Sequence, residues 1–257
     1  MAGLTWLLQA NLRDRRFFDE LVHALDVLGE TWTAVTLVPF RPELPEVPAC
    51  IEAGQIVCYG PSFVPRVIGS SWKPGIFFDR DRFRWSAMQA HWQELMFAID
   101  GRRMELGQVI AELDGSQPAF VRPDADDKMF DGAVYDAGTL REVTKARDPH
   151  TLVICASPRI IDAEWRCFVV DGEVIGGSEY RRAGQPSLHA GVPPRVVDLA
   201  EHAAARWMPA RVACIDVASS GDSFGIIEAN CFNASRFYAA DTMHVLERVS
   251  AHCRSLA

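Results

Sequence analysis

The sequence contains no apolar run of the roughly 18 residues that a membrane span needs, and its N-terminus lacks the charged, then apolar, pattern of a signal peptide. It also lacks an excess of basic charge, since 26 Lys and Arg stand against 34 Asp and Glu, for a net charge of −8. Sequence-independent binding to duplex nucleic acid needs a basic face. We therefore expect a cytoplasmic protein with neither a membrane nor duplex nucleic acid as a partner.

Paired cysteines are missing as well. The seven cysteines are an odd number, are scattered and include no C-x-x-C pair, so neither a disulfide framework nor a structural zinc site is expected. The chain has 257 residues, of which 49% are hydrophobic and 23% charged. That composition is typical of a globular protein that needs no covalent staples, because a chain of this size buries roughly 70–75% of its unfolded surface.

The pattern along the chain predicts two parts. Residues 1–84 alternate between strand and helix patterns, which predicts a small α/β lobe on the substrate side. Residues 85–257 are rich in strands and hairpins, and Asp171–Gly172 between two apolar runs is a strong hairpin signal. The fold class predicted is α+β, with the ligand between the lobes. The predicted strands are Leu4–Gln9, Trp32–Pro39, Gln55–Tyr59, Ala119–Arg122, Leu152–Ala156, Glu164–Val170, Glu173–Tyr180, Arg211–Ala218 and Ser223–Ala229, and the predicted helices are Arg13–Gly29, Ser86–Ile99, Arg103–Leu113, Pro194–Trp207 and Thr242–Arg254.

The sharpest chemical signal is a predicted hairpin near the C-terminal end. A turn centred near Asp222 places Asp216 opposite Glu228, and Asn230 follows on the same face. Two carboxylates that face each other repel, and a hard divalent cation such as Mg²⁺ would remove the conflict. The alternative is that one carboxylate points to solvent and the hairpin carries no metal.

A second signal is a short apolar strand that ends at Arg122, followed by a polar loop that contains Lys128. Two cations beside a carboxylate metal site would suit the phosphates of a nucleotide, with Arg122 binding in a forked geometry and Lys128 as a point charge. The alternative is a pair of surface salt bridges of little energetic weight.

A third signal is the alternation of Glu164, Arg166 and Phe168 on one face of a predicted strand. The alternation carries Arg166 toward the interior or a cleft, and Arg181 lies at the far end of the returning strand. The alternative is a structural network of Glu–Arg pairs across the hairpin.

Together these segments resemble the ATP-grasp superfamily over roughly residues 115–245. The resemblance is strongest to the branch of glutathione synthetase and the ribosomal-protein glutamate ligases, and to the clade in which an arginine replaces the first phosphate-binding lysine. The matching features occur in the family's order and are the Val-Arg-Pro strand end at Arg122, the Lys128 loop that closes on Phe-Asp-Gly, Glu164-Trp-Arg166 before Phe-Val-Val-Asp-Gly, the pair Arg181-Arg182, the Asp216-x-Ala strand, and Ile-Ile-Glu228-x-Asn230 followed by Asn233-Ala-Ser235.

The resemblance implies roles for these residues. Arg122 and Lys128 would hold ATP phosphates, main-chain groups near Ala156 and Ser157 would bind adenine, and Glu164 would complete the nucleotide site. Arg166 would lie at the γ-phosphate and Arg181 near the acyl phosphate. The Mg²⁺ ligands implied are Asp216, Glu228 and Asn230.

The implied activity is that of an ATP- and Mg²⁺-dependent ligase, which phosphorylates a carboxylate substrate and lets an amine acceptor, a small molecule or a peptide, attack the acyl phosphate. A phosphotransferase of the same fold and a non-catalytic nucleotide-binding module are the alternatives. The sequence departs from the family pattern at three places. Arg122 replaces a lysine, Glu164 replaces the commoner aspartate, and Asn233-Ala-Ser235 lacks the usual Pro-Gly.

Overall fold

A computed structural model describes residues 3–38, 41–126 and 129–256. The first part of the chain forms a parallel sheet in the order β2-β1-β3-β4. Helix α1 follows the first strand, and its N-cap Asp14 accepts a hydrogen bond from the backbone N–H of Phe17. The elements of this part are β1 (Leu4–Gln9), α1 (Arg15–Val27), β2 (Thr31–Val35), α2 (Ala49–Glu52), β3 (Gln55–Tyr59), α3 (Val64–Val67) and β4 (Pro74–Gly75).

A small antiparallel sheet follows, with the strand order β5-β8-β6-β7. Its core is formed by residues of α5, α6 and the sheet, among them Val109, Leu140 and Val153, each of which is fully buried. The elements are α4 (Trp85–Trp92), β5 (Arg102–Glu105), α5 (Leu106–Leu113), β6 (Ala119–Pro123), β7 (Ala133–Tyr135), α6 (Ala137–Val143) and β8 (Leu152–Ala156).

The third sheet is antiparallel, in the order β11-β10-β9-β12-β13. Its hairpin turn at Asp171–Gly172 has positive φ at both residues (50° and 91°), as the predicted tight hairpin requires. The elements are β9 (Ala163–Val170), β10 (Glu173–Arg182), β11 (Gln185–Ala190), α7 (Pro194–Arg206), β12 (Val212–Ser220), β13 (Ser223–Cys231) and α8 (Thr242–Ser255).

Both faces of the third sheet are covered, which explains why every residue of β9 is buried. Phe168 and Val170 face the N-terminal sheet and α8, whereas Trp165 and Cys167 face α4 and α7. The predicted alternation along this strand is therefore confirmed. The two charged side chains of β9, Glu164 and Arg166, share the face of Phe168 and lie toward the other end of the strand.

Two predicted helices are wrong in part. The helix predicted over Arg103–Leu113 begins only at Leu106, because Arg102–Glu105 pairs with β8 as a strand and Glu105 then caps the helix in a reciprocal capping box with Gln108. The helix predicted over Ser86–Ile99 ends at Trp92, followed by one 3-10 turn. It ends there because the next residues run along β13, where the N–H of Phe97 donates to the carbonyl oxygen of Ile226 at 2.8 Å.

The remaining predicted elements are present, and their ends coincide or differ by one or two residues, except in the predicted second strand. That strand ends earlier, at Val35, and its last predicted residue, Pro39, lies outside the described residues. The chain is an α+β protein. All seven cysteines are unpaired, and all but Cys50 are buried. No helix within the described ranges is long and apolar enough to span a bilayer.

Candidate active site

A cavity of about 650 Å³ opens between the small antiparallel sheet and the third sheet. β6 contributes Arg122 to its wall and β9 contributes Arg166. Asp216 on β12 and Glu228 on β13 complete the polar floor. Residues that are far apart in sequence therefore meet in one concave site, and all of them had been singled out from the sequence.

The pairing of Asp216 with Glu228 depends on a β-bulge. The turn of the hairpin is at Gly221–Asp222, and Val217 pairs with Ile226, whereas Asp216 pairs with Glu228. Ile227 is therefore an extra residue on β13. The predicted pairing of the two carboxylates is confirmed, but it is the bulge that produces it, since an unbroken register would place Ile227 opposite Asp216.

Arg166 and Asp216 form a forked ion pair at the floor of the cavity. Nε and Nη2 of Arg166 donate to Oδ1 and Oδ2 of Asp216 at 2.8 and 2.7 Å, and the two side chains are only 9% and 3% exposed. Nδ2 of Asn230 donates to Asp216 and to Glu228, at 3.1 Å each. Burial raises the pKa of Asp216 above its ordinary value, an effect that Arg166 opposes.

Arg122 is the partner of the other carboxylate. Its Nη2 lies 2.6 Å from Oε2 of Glu228, and both side chains are largely buried. Burial acts to raise the pKa of Glu228, but Arg122 and the hydrogen bond from Asn230 outweigh it, so that the pKa is lowered. The repulsion expected between the two carboxylates is thus balanced by one arginine each.

A third pair lies at the other edge of the floor. Glu164 accepts hydrogen bonds from the hydroxyl of Tyr180 at 2.8 Å and from Nη1 of Arg181 at 3.0 Å. Glu164 and Arg181 are paired residues of β9 and β10, so this is a Glu–Arg pair across the hairpin, the alternative that the sequence left open. Tyr180 stacks on Tyr238 with ring centroids 5.0 Å apart, and the Arg166 guanidinium lies over both rings, at 5.7 and 5.3 Å.

The donor set at Asp216, Glu228 and Asn230 is chemically suited to Mg²⁺, which prefers carboxylate and amide oxygens. The described residues contain no group of three or more His, Cys, Asp or Glu side chains placed to hold a metal. This set instead has two carboxylates on paired strands and one amide. Its amide nitrogen faces the carboxylates, so Asn230 would rotate its amide to offer oxygen.

The residues predicted to meet adenine lie at the end of β8. Ser157 lines the cavity, whereas Ala156 is buried and pairs with Phe120 of β6. The Ser157 N–H donates to Asp100 at 3.0 Å. Burial opposes ionisation of Asp100, but hydrogen bonds from Ser157 and Arg159 hold its pKa well below the usual range. Lys128, the second predicted phosphate ligand, lies outside the described residues.

Sequence reasoning missed several cavity residues. Trp85, Arg236 and Tyr238 all line the cavity, and Tyr238 has an unusual positive φ of 56°. Arg236 and Tyr238 alternate around the buried Phe237, directly after Asn233-Ala-Ser235. That period-two pattern could have predicted that the side chains of Arg236 and Tyr238 lie on one side of the backbone. No local sequence pattern predicts that Trp85 lines the cavity.

The model of one protein family matches most of the chain. It is described as an ATP-grasp domain, family 3 of one clade of that superfamily, and it matches residues 58–249. None of the curated proteins matches the chain in sequence.

Solved structures share the fold at low sequence identity. The RimK domain protein ATP-grasp from Sphaerobacter thermophilus is 15% identical, with a TM-score of 0.64, over 98% of this chain and 100% of that chain. D-alanine–D-alanine ligase from Bacillus anthracis is 12% identical, with a TM-score of 0.63, over 99% and 98%. The ATP-grasp ligase PsnB, complexed with precursor peptide PsnA2 and AMPPNP, is 11% identical, with a TM-score of 0.56, over 97% and 96%. A further PsnB complex contains Mg and ADP (10% identical, TM-score 0.56, 96% of each chain).

Proposed function

Because the chain belongs to the ATP-grasp family, we propose that it is an ATP- and Mg²⁺-dependent ligase that joins a carboxylate to an amine. The observation that carries the proposal is the convergence of Arg122, Arg166, Asp216, Glu228 and Asn230 on one cavity floor. Phosphoryl transfer needs positive charge around the transferred group and little covalent help from the protein. The PsnB complexes with AMPPNP and with Mg and ADP support the same nucleotide and metal.

The chemistry proposed has two steps. A carboxylate oxygen of the acid attacks the γ-phosphorus of ATP, which gives an acyl phosphate and ADP. The nitrogen of the amine then attacks the acyl carbon, the C–N bond forms, and phosphate and a proton leave. Asp216, Glu228 and Asn230 would hold Mg²⁺, which supplies neutralising charge to the phosphates when it is bound.

Each arginine has a distinct capacity in this scheme. Arg166 commits Nε and Nη2 to Asp216, so Nη1, whose present contact with the carbonyl oxygen of Arg236 is long at 3.5 Å, is the nitrogen left for the γ-phosphate. Arg122 uses Nη2 on Glu228 and Nε on the carbonyl oxygen of Pro123, and it would reach a phosphate with Nη1. Both cations are held in place before a nucleotide arrives, which reduces reorganisation during the reaction.

Arg236 is proposed to bind the carboxylate substrate. Arg122, Arg159, Arg166 and Arg181 each pair with a carboxylate. Arg236 is exposed at the cavity, and no ion pair of its side chain is found among the described residues. It can therefore receive an anionic group without breaking an existing pair.

The reaction type is tested by trapping the acyl phosphate. The protein is incubated with Mg·ATP, hydroxylamine and a panel of amino acids, dicarboxylic acids and short peptides. We expect a hydroxamate, detected by mass spectrometry, together with equal amounts of ADP and phosphate that require the acid. A stable phosphorylated product without release of phosphate would identify a phosphotransferase, and no acid-dependent ADP from any member of the panel would contradict the ligase.

Substitution of Arg236 by Gln should raise KM for that acid roughly ten- to a hundredfold, the effect of losing a charge-assisted contact of about 1.5–3 kcal/mol. KM for ATP should stay the same, since other residues are proposed to bind the nucleotide. Arg248→Gln is the matched control, because Arg248 is on α8, where it pairs with Glu173 outside the cavity. Equal KM values for the acid in Arg236→Gln and the wild type would remove Arg236 from the substrate site.

A further inference from the structure

Trp85 donates two hydrogen bonds, one from its backbone and one from its side chain. Its backbone N–H donates to the carbonyl oxygen of Asp124, at 2.8 Å, just beyond the end of β6. Its indole N–H donates to the carbonyl oxygen of Ile227 on β13, at 3.1 Å. One residue at the start of α4 is therefore hydrogen-bonded to the segment that follows β6 and to β13, which belong to the two sheets that enclose the cavity.

Each contact falls next to a residue of the proposed site. Asp124 follows Arg122 by two positions, and Ile227 is the bulged residue that immediately precedes Glu228. Arg122 and Glu228 themselves form the ion pair across the cavity. Trp85 is only 2% exposed and lies in the wall of the cavity.

The contact with Asp124 is heavily reinforced. The Asp124 side chain is fully buried and accepts hydrogen bonds from the N–H of Ser86 at 2.8 Å, the hydroxyl of Ser86 at 3.0 Å and Nε of Arg103 at 2.8 Å. Its backbone N–H donates to Leu152 of β8. The start of α4 is thus fixed to the small sheet by Asp124, independently of the indole.

The contact with β13 occurs where that strand has no neighbouring strand. β13 is at the edge of the third sheet, and its outer side is met by α4 and the segment after it. Besides the indole, Phe97 donates to the Ile226 carbonyl oxygen, and the N–H of Ala229 points to Sδ of Met88 at 3.1 Å. Ile227 lies between these two points, and a bulged residue is the part of a strand whose ladder is locally disrupted.

We propose that Trp85 is a positioning residue that fixes the β13 bulge, and through it the distance between Glu228 and Arg122. The inference rests on the proposed function for its consequence in nucleotide binding, but the bulge itself can be examined without a nucleotide. Loss of the indole N–H removes this hydrogen bond to the Ile227 carbonyl oxygen. The Glu228 carboxylate then samples positions that suit Mg²⁺ poorly.

The test compares Trp85→Phe with Trp92→Phe. Trp92 is also buried on α4, but its indole N–H donates to the carbonyl oxygens of Ala203 and Trp207, away from the site. Amide hydrogen exchange in the nucleotide-free protein should become about tenfold faster across Ile226–Asn230 in Trp85→Phe, with no such change there in Trp92→Phe. Unchanged exchange across this segment in Trp85→Phe would overturn the proposal.

Calorimetry with ADP supplies the second readout. The ratio of the Kd without Mg²⁺ to the Kd with Mg²⁺ should fall about tenfold in Trp85→Phe and stay at the wild-type value in Trp92→Phe. An unaltered ratio in Trp85→Phe contradicts the role in positioning Glu228. If the wild type binds no nucleotide, the proposed function fails, and the exchange experiment still decides whether Trp85 fixes the bulge.

Should Trp85→Phe not fold, 3-benzothienylalanine at position 85 keeps the ring shape without the N–H, and the same two measurements are made on that protein.

Discussion

Substitution of Glu228 by Gln should abolish most of the thermal stabilisation that Mg·ATP gives to the protein, and nearly all turnover. A ligand that binds only the folded state stabilises it by about 2.7 kcal/mol at a hundred times its Kd. For a domain of this size that corresponds to a rise in Tm of roughly 5–10 °C in the wild type. The variant keeps the shape of the side chain and an oxygen ligand but lacks the charge that a divalent cation requires.

The nucleotide-free variant should be slightly less stable than the wild type. Two opposed carboxylates alone would make Glu228→Gln neutral or stabilising. In the structure, however, Arg122 lies 2.6 Å from Glu228 and would lose its partner. Because both groups keep some contact with solvent, we expect a loss of about 1 kcal/mol.

The test measures Tm by thermal melts of the wild type and Glu228→Gln, each with and without Mg·ATP. Glu173→Gln serves as the control, since Glu173 forms an ion pair with Arg248 outside the cavity. The control should keep the full Mg·ATP effect. Equal stabilisation of Glu228→Gln and the wild type by Mg·ATP would show that Glu228 is not a metal ligand.

The hairpin that carries Asp216 and Glu228 shows how far the sequence predicts this site. Alternation of apolar residues and the turn chemistry placed the strands, and the pairing of the two carboxylates followed. The bulge at Ile227 was not foreseen, because an extra residue on one strand leaves no mark in a period-two pattern. The sequence still predicts the right pairing, because it places the centre of the turn at Asp222, half a residue beyond the observed centre between Gly221 and Asp222.

The sequence could not predict which charged side chains pair with each other. Arg122 and Glu228 are 106 positions apart, and Arg166 and Asp216 are 50 apart, so their pairing depends on how whole sheets pack. The same holds for Trp85, whose contact with Ile227 spans 142 positions. Local patterns specify which residues share a face, whereas the packing of three sheets decides which charges meet.

The second large effect concerns the stability of the buried pair at the floor. Arg166→Met should lower the free energy of unfolding by about 3–5 kcal/mol, and Asp216→Leu by a similar amount, because each leaves a charge buried without its partner. The double substitution should cost much less than the sum, since no unpaired charge remains. Urea unfolding of the four proteins gives the interaction energy directly.

An exposed ion pair provides the comparison for this double-mutant cycle. Arg102 and Glu112 lie 2.7 Å apart, much as Arg166 and Asp216 do, but their side chains are 59% and 50% exposed. Solvent screens such a pair, so its interaction energy should be below about 1 kcal/mol. Similar interaction energies for the two pairs would mean that water reaches the cavity floor freely. A much larger value for Arg166 and Asp216 would place the pair in a water-poor site, where the remaining Nη1 of Arg166 would act most strongly on the phosphate that it is proposed to bind.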